Sequence, residues 1–166
     1  GFGVLAAVPE AYLNNTWQTL MAQAEAGYSN TLVKTIQFVN NIDEATGFAG
    51  TESYIQVGAS STTDMTVTDT VCAYYYTSGG YFHIAFVSTT GGIIYAPRDS
   101  SKLFGSSYSS TGETYFTALE SIVFNNFNTS NVTYMQYMFA YSSKLTTISG
   151  IENFNTSAVT DMSSMF

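Results

Sequence analysis

Residues 126–139 read "NFNTSNVTYMQYMF" and residues 153–166 read "NFNTSAVTDMSSMF". Working outward, Leu119, Ile122, Phe124 and Phe127 lead into Val132, Met135, Met138 and Phe139. Leu145, Ile148, Ile151 and Phe154 lead in the same order into Val159, Met162, Met165 and Phe166. The leading leucines stand 26 apart and the motif ends 27 apart, so the second copy carries one extra residue, most simply near Gly150. A repeat of this length is the mark of a solenoid. The first half of the unit, L-x-x-I-x-F, has strand spacing. The second half, with apolar residues three and four apart, predicts a short helix or 3₁₀ segment.

A unit this small cannot bury its own apolar face. Phe127 and Phe154, or Met135 and Met162, are therefore expected to stack on their counterparts in the next coil. Asn128, Thr129 and Ser130, repeated as Asn155, Thr156 and Ser157, sit at the corner between the halves. There short polar side chains bond unpaired backbone groups and cap the helical half, forming a ladder along one edge. A partial earlier copy stands at 100–104, "SSKLF". Its Leu103 and Phe104 match Met138 and Phe139 at a distance of 35 because "GSSYSSTGETYFTA" is a longer connection. The array thus begins near residue 100.

Upstream, Leu13, Trp17, Leu20, Met21 and Ala24 lie on one face of a 3.6-residue period. Pro9 suits the first turn and Gly27 the stop, which predicts an amphipathic helix from Pro9 to Gly27 packed on the rest of the chain. The period then changes to two. "TLVKTIQFV" at 31–39 sets Leu32, Ile36 and Phe38 on one side of a strand, "SYIQVGA" and "DMTVTD" are shorter strands, and "IIYAP" comes after Gly91 and Gly92. Runs 70–77 and 81–88, joined by Ser78, Gly79 and Gly80, predict a hairpin.

The run N-F-x-T-S-x-V-T-x-M-x-x-M-F resembles the repeat of BspA-type, leucine-rich-repeat-like bacterial surface proteins, a domain of unknown function also associated with mycoplasma lipoproteins. The likeness covers 119–166 and extends more weakly over 33–104, through "VKTIQFV" and "GGIIYAPRDSSKLF". Members often carry Asp where this chain has Asn128 and Asn155. The resemblance implies a right-handed solenoid displayed on cells, with similar domains in phage structural proteins, and it supplies no catalytic residues.

Composition narrows the function. Only four Lys and Arg stand against twelve Asp and Glu in the 166 residues, a formal charge of -8, so the chain cannot neutralise a run of phosphates and nucleic acid is excluded as a partner. Charged residues make up 10%; Ser, Thr, Asn, Gln and 13 Tyr do the solvating, as on β-rich surfaces outside cells. No apolar run reaches the roughly 20 residues of a membrane span. Cys72 stands alone, so there is no disulfide within the chain and no cysteine zinc site. His83 has no Ser or Asp motif to join it, and Asp64 and Asp69 lack the oxygen-rich loop of a calcium site, so no cofactor or metal is expected. Tyr108, Tyr115, Tyr134, Tyr137 and Tyr141 are amphipathic aromatics of the kind used in recognition surfaces, when they do not simply fill the outer layer of a β-rich protein.

The sequence is therefore read as α+β and mainly β. It comprises an N-terminal helix in 1–30, a β-rich capping domain in 31–99 and a short leucine-rich-repeat-like solenoid in 100–166. Its expected role is a non-catalytic structural or recognition module at a bacterial cell surface or virion surface, binding a protein or a glycan. The rival is a purely architectural decoration or fibre subunit that meets only neighbouring subunits. Because the last repeat ends at Phe166 without a cap, the expectation is that further repeats continue the chain or that another copy covers this end.

Overall fold

A computed structural model describes residues 10–59 and 70–166. Its strands are β1 (Glu10–Leu13), β2 (Val33–Phe38), β3 (Ser53–Ala59), β4 (Thr70–Ser78), β5 (Tyr81–Ser88), β6 (Ile93–Tyr95), β7 (Ser121–Phe124) and β8 (Thr147–Ser149), with one α-helix, α1 (Trp17–Ala24). They form one mixed sheet in the order β6-β1-β3-β4-β5-β2-β7-β8. The hairpin forms as its glycines require: Gly79 and Gly80 take φ of 62° and 84°, the left-handed pair that lets two residues join strands of right-handed twist. β4 and β5 pair antiparallel from Val71↔Ser88 to Ser78↔Tyr81. β2 pairs in parallel with β5 on one side and β7 on the other. This central strand buries Gln37 as well as Val33, Ile36 and Phe38, so its alternation is only partial.

The sheet curls into a half-barrel, and hydrogen bonds draw its β6 edge to the chain beyond β7. Asn126 accepts from Ile94 N–H at 3.1 Å and donates to Gly92 O at 2.9 Å. Asn128 N–H donates to Ile94 O at 2.8 Å and Ala96 N–H to Asn128 O at 2.9 Å. The concave side is filled by aromatic rings. Phe38 stacks on Phe86 at 4.6 Å and Phe124 at 5.4 Å and meets Phe127 at 4.6 Å, while Trp17 meets Phe86 edge-on at 5.1 Å.

Trp17 and Met21 are wholly buried, so the helix packs on the sheet as its stripe predicts, but the helix is shorter than expected. Residues 10–13 are a strand, parallel to β6 and antiparallel to β3. Leu13 is buried as an inward strand residue that happens to lie four before Trp17. Asn14 makes the change of direction: its side-chain oxygen accepts from Thr16 N–H at 2.9 Å and Thr16 Oγ1 at 2.7 Å, the local bonding that competes with helix. Ala24 is exposed and the helix stops there, ahead of Gly27. Pro9 and the strand expected in "DMTVTD" lie outside the described residues.

The expected solenoid with its separate β-rich cap is not the fold. The strand halves of the repeats, β7 and β8, are the outer strands of the same sheet: Ile122 and Phe124 pair with Ile36 and Phe38, and Ile148 pairs with Ile122. One apolar core runs from Ala11 to Met165. β2 offers β7 a full parallel edge in matching register, so nothing separates an array from a cap.

The expected helix or 3₁₀ segment in 129–139 and 156–166 is also absent. These stretches are turns, because Tyr137 and Ser164 hold left-handed φ of 58° and 50° and break any helix. Their N–H groups bond the neighbouring course instead: Met135 to Asp161 O at 2.9 Å, Tyr137 to Ser163 O at 3.1 Å and Phe139 to Met165 O at 2.7 Å.

The repeat register itself holds. Val123 pairs with Ser149, 26 residues on, and Tyr134 bridges to Asp161, 27 on, so the extra residue lies between. It is absorbed at Gly150, whose φ is 88° and where an added Cβ would run into the Phe124 carbonyl oxygen, just before a 3₁₀ turn at Ile151–Asn153. The partial first copy is in place as well. Asp99 bridges to Tyr134, 35 residues on, and Lys102 takes φ 59°, like Tyr137.

Phe127→Ala is expected to cost about 3 kcal/mol in chemical denaturation, the usual loss on emptying an aromatic site. Met162→Ala, at a side chain 46% exposed, is expected to cost under about 1 kcal/mol.

Candidate functional site

The residues singled out in the repeats fall into three groups. Val132, Met135, Met138, Phe139 and Met165 are buried; Phe127, Phe154 and Val159 are half-buried against the same core. Met162 and Phe166 are exposed, the latter by 74%, with its ring stacked on Phe139 at 5.5 Å.

The corner residues bond the backbone. Asn128 Oδ1 accepts from Ser130 N–H at 2.9 Å and Ser130 Oγ at 2.6 Å. Asn155 does the same for Ser157 at 3.0 and 2.7 Å. Thr129, buried, accepts from Asn155 N–H at 2.8 Å and donates to Asn155 O at 3.2 Å, locking one corner onto the next. Thr156 is exposed. These residues shape the turns that replace the expected helix.

The five tyrosines separate. Tyr134 and Tyr137 belong to the turns, one exposed and one half-buried. Tyr115 and Tyr141 come together, their rings stacked at 4.4 Å and 8°. Tyr108, 76% exposed, stands in the same loop as Tyr115. That loop is the long connection that stretches the first interval to 35. Tyr115 clasps it: its hydroxyl accepts from Ser109 N–H at 2.8 Å and donates to Ser109 O at 3.1 Å. Ser106 Oγ and Thr114 Oγ1, 2.6 Å apart, close its base.

Between this loop and α1 lies a groove of about 340 Å³, lined by Tyr108, Gln18, Lys102, Ser107, Ser109 and Thr114. A part-buried amide network stands behind it. Asn30 donates to Gln18 Oε1 at 2.8 Å and Thr114 O at 3.1 Å and accepts from Tyr28 OH at 2.7 Å; Gln18 donates in turn to Leu103 O at 2.9 Å. Trp17 Nε1–H donates to the same Leu103 carbonyl at 3.0 Å. Only Tyr108 in this lining was singled out from the sequence. The signal for the rest was the length of the 105–118 connection beside its five-residue counterpart, 140–144.

Elsewhere the titratable groups are engaged locally. His83 Nδ1 lies 2.7 Å from Thr35 Oγ1, and its ring stacks on Tyr76 at 4.9 Å on the outer face of the sheet. Partial burial and, less, Lys34 hold its pKa below the ordinary histidine value, against an opposing pull from Glu120. Tyr75 OH donates to Glu25 at 3.1 Å, and burial raises the Tyr75 pKa first, with Glu25 adding. Burial likewise raises the Cys72 thiol. No group of three or more His, Cys, Asp or Glu able to hold a metal occurs among the described residues. Asp64 and Asp69 lie outside them. No described helix is long and apolar enough to cross a membrane.

Residues 110–166, about a third of the chain, match the family model described as "Mycoplasma protein of unknown function, DUF285". The match spans both full repeats and begins within the loop that carries the groove. No curated protein and no solved structure matches the chain.

Lowering the pH should weaken the fold through His83. Above about 6.5, the ordinary histidine value, His83 is neutral in both folded and unfolded chains; as pH falls through that value the unfolded chain takes up the proton first. Stability is therefore lost from about 6.5 downward until the lowered folded pKa is passed. His83→Gln is expected to flatten that part of a stability-against-pH curve.

Tyr115→Phe, which removes both bonds to Ser109, should speed amide exchange across 107–112 while lowering global stability by only about 1 kcal/mol.

Proposed function

We propose that the protein is a non-catalytic recognition module displayed at a bacterial cell surface or virion surface, of the BspA-like kind, and that it binds glycan in the groove beside Tyr108. The observation that carries this reading is the pairing of an exposed aromatic ring with a rigid, hydroxyl-lined hollow. A sugar presents an apolar C–H face and an equatorial fringe of hydroxyls. Tyr108 offers a ring for the first, and Ser107, Ser109 and Thr114 line the same groove with hydroxyl-bearing side chains for the second.

Two further features favour recognition here. The loop is ordered in advance by Tyr115, Asn30 and the Ser106–Thr114 contact, so binding forfeits little freedom. This loop is longer than its counterpart between the two full repeats, and binding residues are disproportionately carried on loops held by a rigid scaffold. A composition rich in Ser, Thr, Asn and Tyr and poor in charge suits display outside the cell.

The test is a glycan array probed with the folded protein and with Tyr108→Ala. The variant is expected to keep its melting curve and to lose about tenfold in affinity for whichever sugars bind, as removal of roughly 1.4 kcal/mol of stacking gives. An array on which the wild-type protein retains nothing would overturn the reading in favour of a protein partner or a purely architectural subunit, and a Tyr108→Ala variant that binds as well would overturn the assignment of the glycan to this groove.

A further inference from the structure

Resting on that glycan reading, we infer that the groove is selective for a short saccharide bearing a single acidic sugar, a sialic or uronic acid at its end, with Lys102 receiving the carboxylate. Lys102 is the one charged side chain lining the groove among the described residues. The whole chain has only four Lys and Arg, so a cation at the lip of its hydroxyl-lined hollow is a local exception to a net charge of -8.

The backbone fixes where this lysine stands. Lys102 holds a left-handed φ of 59°, its N–H donates to Gln136 O at 3.1 Å, and its carbonyl accepts from Gln18 Nε2 at 3.1 Å. The side chain therefore leaves from a pinned Cα on the wall of the groove that Tyr108 also lines. Its equivalents in the other two courses are Tyr137 and Ser164, which share the left-handed φ and carry no charge. The repeat geometry does not demand a cation here, and the ammonium is left to meet the ligand.

The net charge sets the size of the acid. A long polyanion would be repelled by the field of a chain at -8, whereas one carboxylate placed against one ammonium gains a charge-assisted hydrogen bond at contact range, where the distant charges are largely screened. Glu113, on the same loop, is exposed and does not line the groove. The ring of Tyr108 and the hydroxyls then hold the neutral remainder of the saccharide.

The experiment compares each acidic sugar with its own uncharged form. 3′-Sialyllactose and a glucuronic-acid-terminated disaccharide, each as free acid and as carboxyl methyl ester, are titrated into ¹⁵N-labelled protein. At least one free acid is expected to bind about tenfold more tightly than its ester, the ratio that one charge-assisted hydrogen bond gives, with shifts at the Lys102 and Ser107–Ser109 amides. Lys102→Gln is expected to bring acid and ester to equal affinity, and Tyr108→Ala to weaken both alike. Equal binding of acid and ester by the wild-type protein, or a preference that survives Lys102→Gln, overturns the acidic-sugar assignment and leaves the glycan reading standing. Absence of binding by every acid and ester overturns the assignment, and if the array is also blank the glycan reading falls with it. The amide shifts are read on the wild-type protein, so a variant that fails to fold does not remove the test.

Discussion

The parallel pairing of β2 with β7 is the contact on which the rest of the molecule depends. It sets Ile36 beside Ile122 and Phe38 beside Phe124, and so joins the first half of the chain to the repeats in one sheet over a shared apolar cluster. Phe38 is the hub of that join, touching Phe86 from the hairpin side and Phe124 and Phe127 from the repeat side. Parallel strands need covering on both faces. β2 has the aromatic core beneath it, and above it the 39–48 segment, where Thr46 exchanges two hydrogen bonds with Gln37 and Ala45 packs with Val39, Cys72, Ala85 and Val87.

Beyond the strands the same pairing continues without regular secondary structure. Each course after a repeat strand is a run of turns whose N–H groups donate to the carbonyls of the next course, with left-handed residues at equivalent places and Asn or Asp side chains holding Ser N–H and hydroxyl groups. Buried backbone groups are in this way satisfied course by course rather than within a helix. Asp161 repeats the Asn128 and Asn155 arrangement with Ser163, and those bonds to Ser163 hold its carboxyl below the ordinary carboxylate pKa.

The groove is a by-product of how the helix meets this stack. Trp17 and Gln18 both reach the Leu103 carbonyl, and Asn30 ties Gln18 to the Thr114 carbonyl, so α1, the partial first copy and the long loop are fastened to one another around it. A residue of the core and a residue of the rim are thus neighbours in sequence, one apolar ring turned inward and one amide turned to the groove wall. The proposed recognition site is stiff for the same reason that the core is complete.

The sequence by itself determined the repeat register, down to the extra residue at Gly150 and the partial copy ending at Phe104, because stacking fixes which residues must be equivalent. It also determined the hairpin at Gly79 and Gly80 and the inward faces of Trp17 and Met21, which come from local chemistry and period. It misread the fold class, the span of the helix and the second half of each repeat. Apolar spacings of three and four in "VTYMQYMF" are those of a helix, but the same side chains reach the core from turns when a neighbouring course supplies the hydrogen bonds. Leu13 keeps helical spacing with Trp17 although it lies in a strand. Only the tertiary structure decided these, since the choice rests on partners far along the chain that local pattern cannot carry: β3 and β6 for β1, β2 for β7, and Asp161 for Met135. The groove shares that dependence. Tyr108 was legible as an aromatic in a polar loop, while Gln18 and Lys102 join it only because Asn30 and Trp17 bring the helix to the loop.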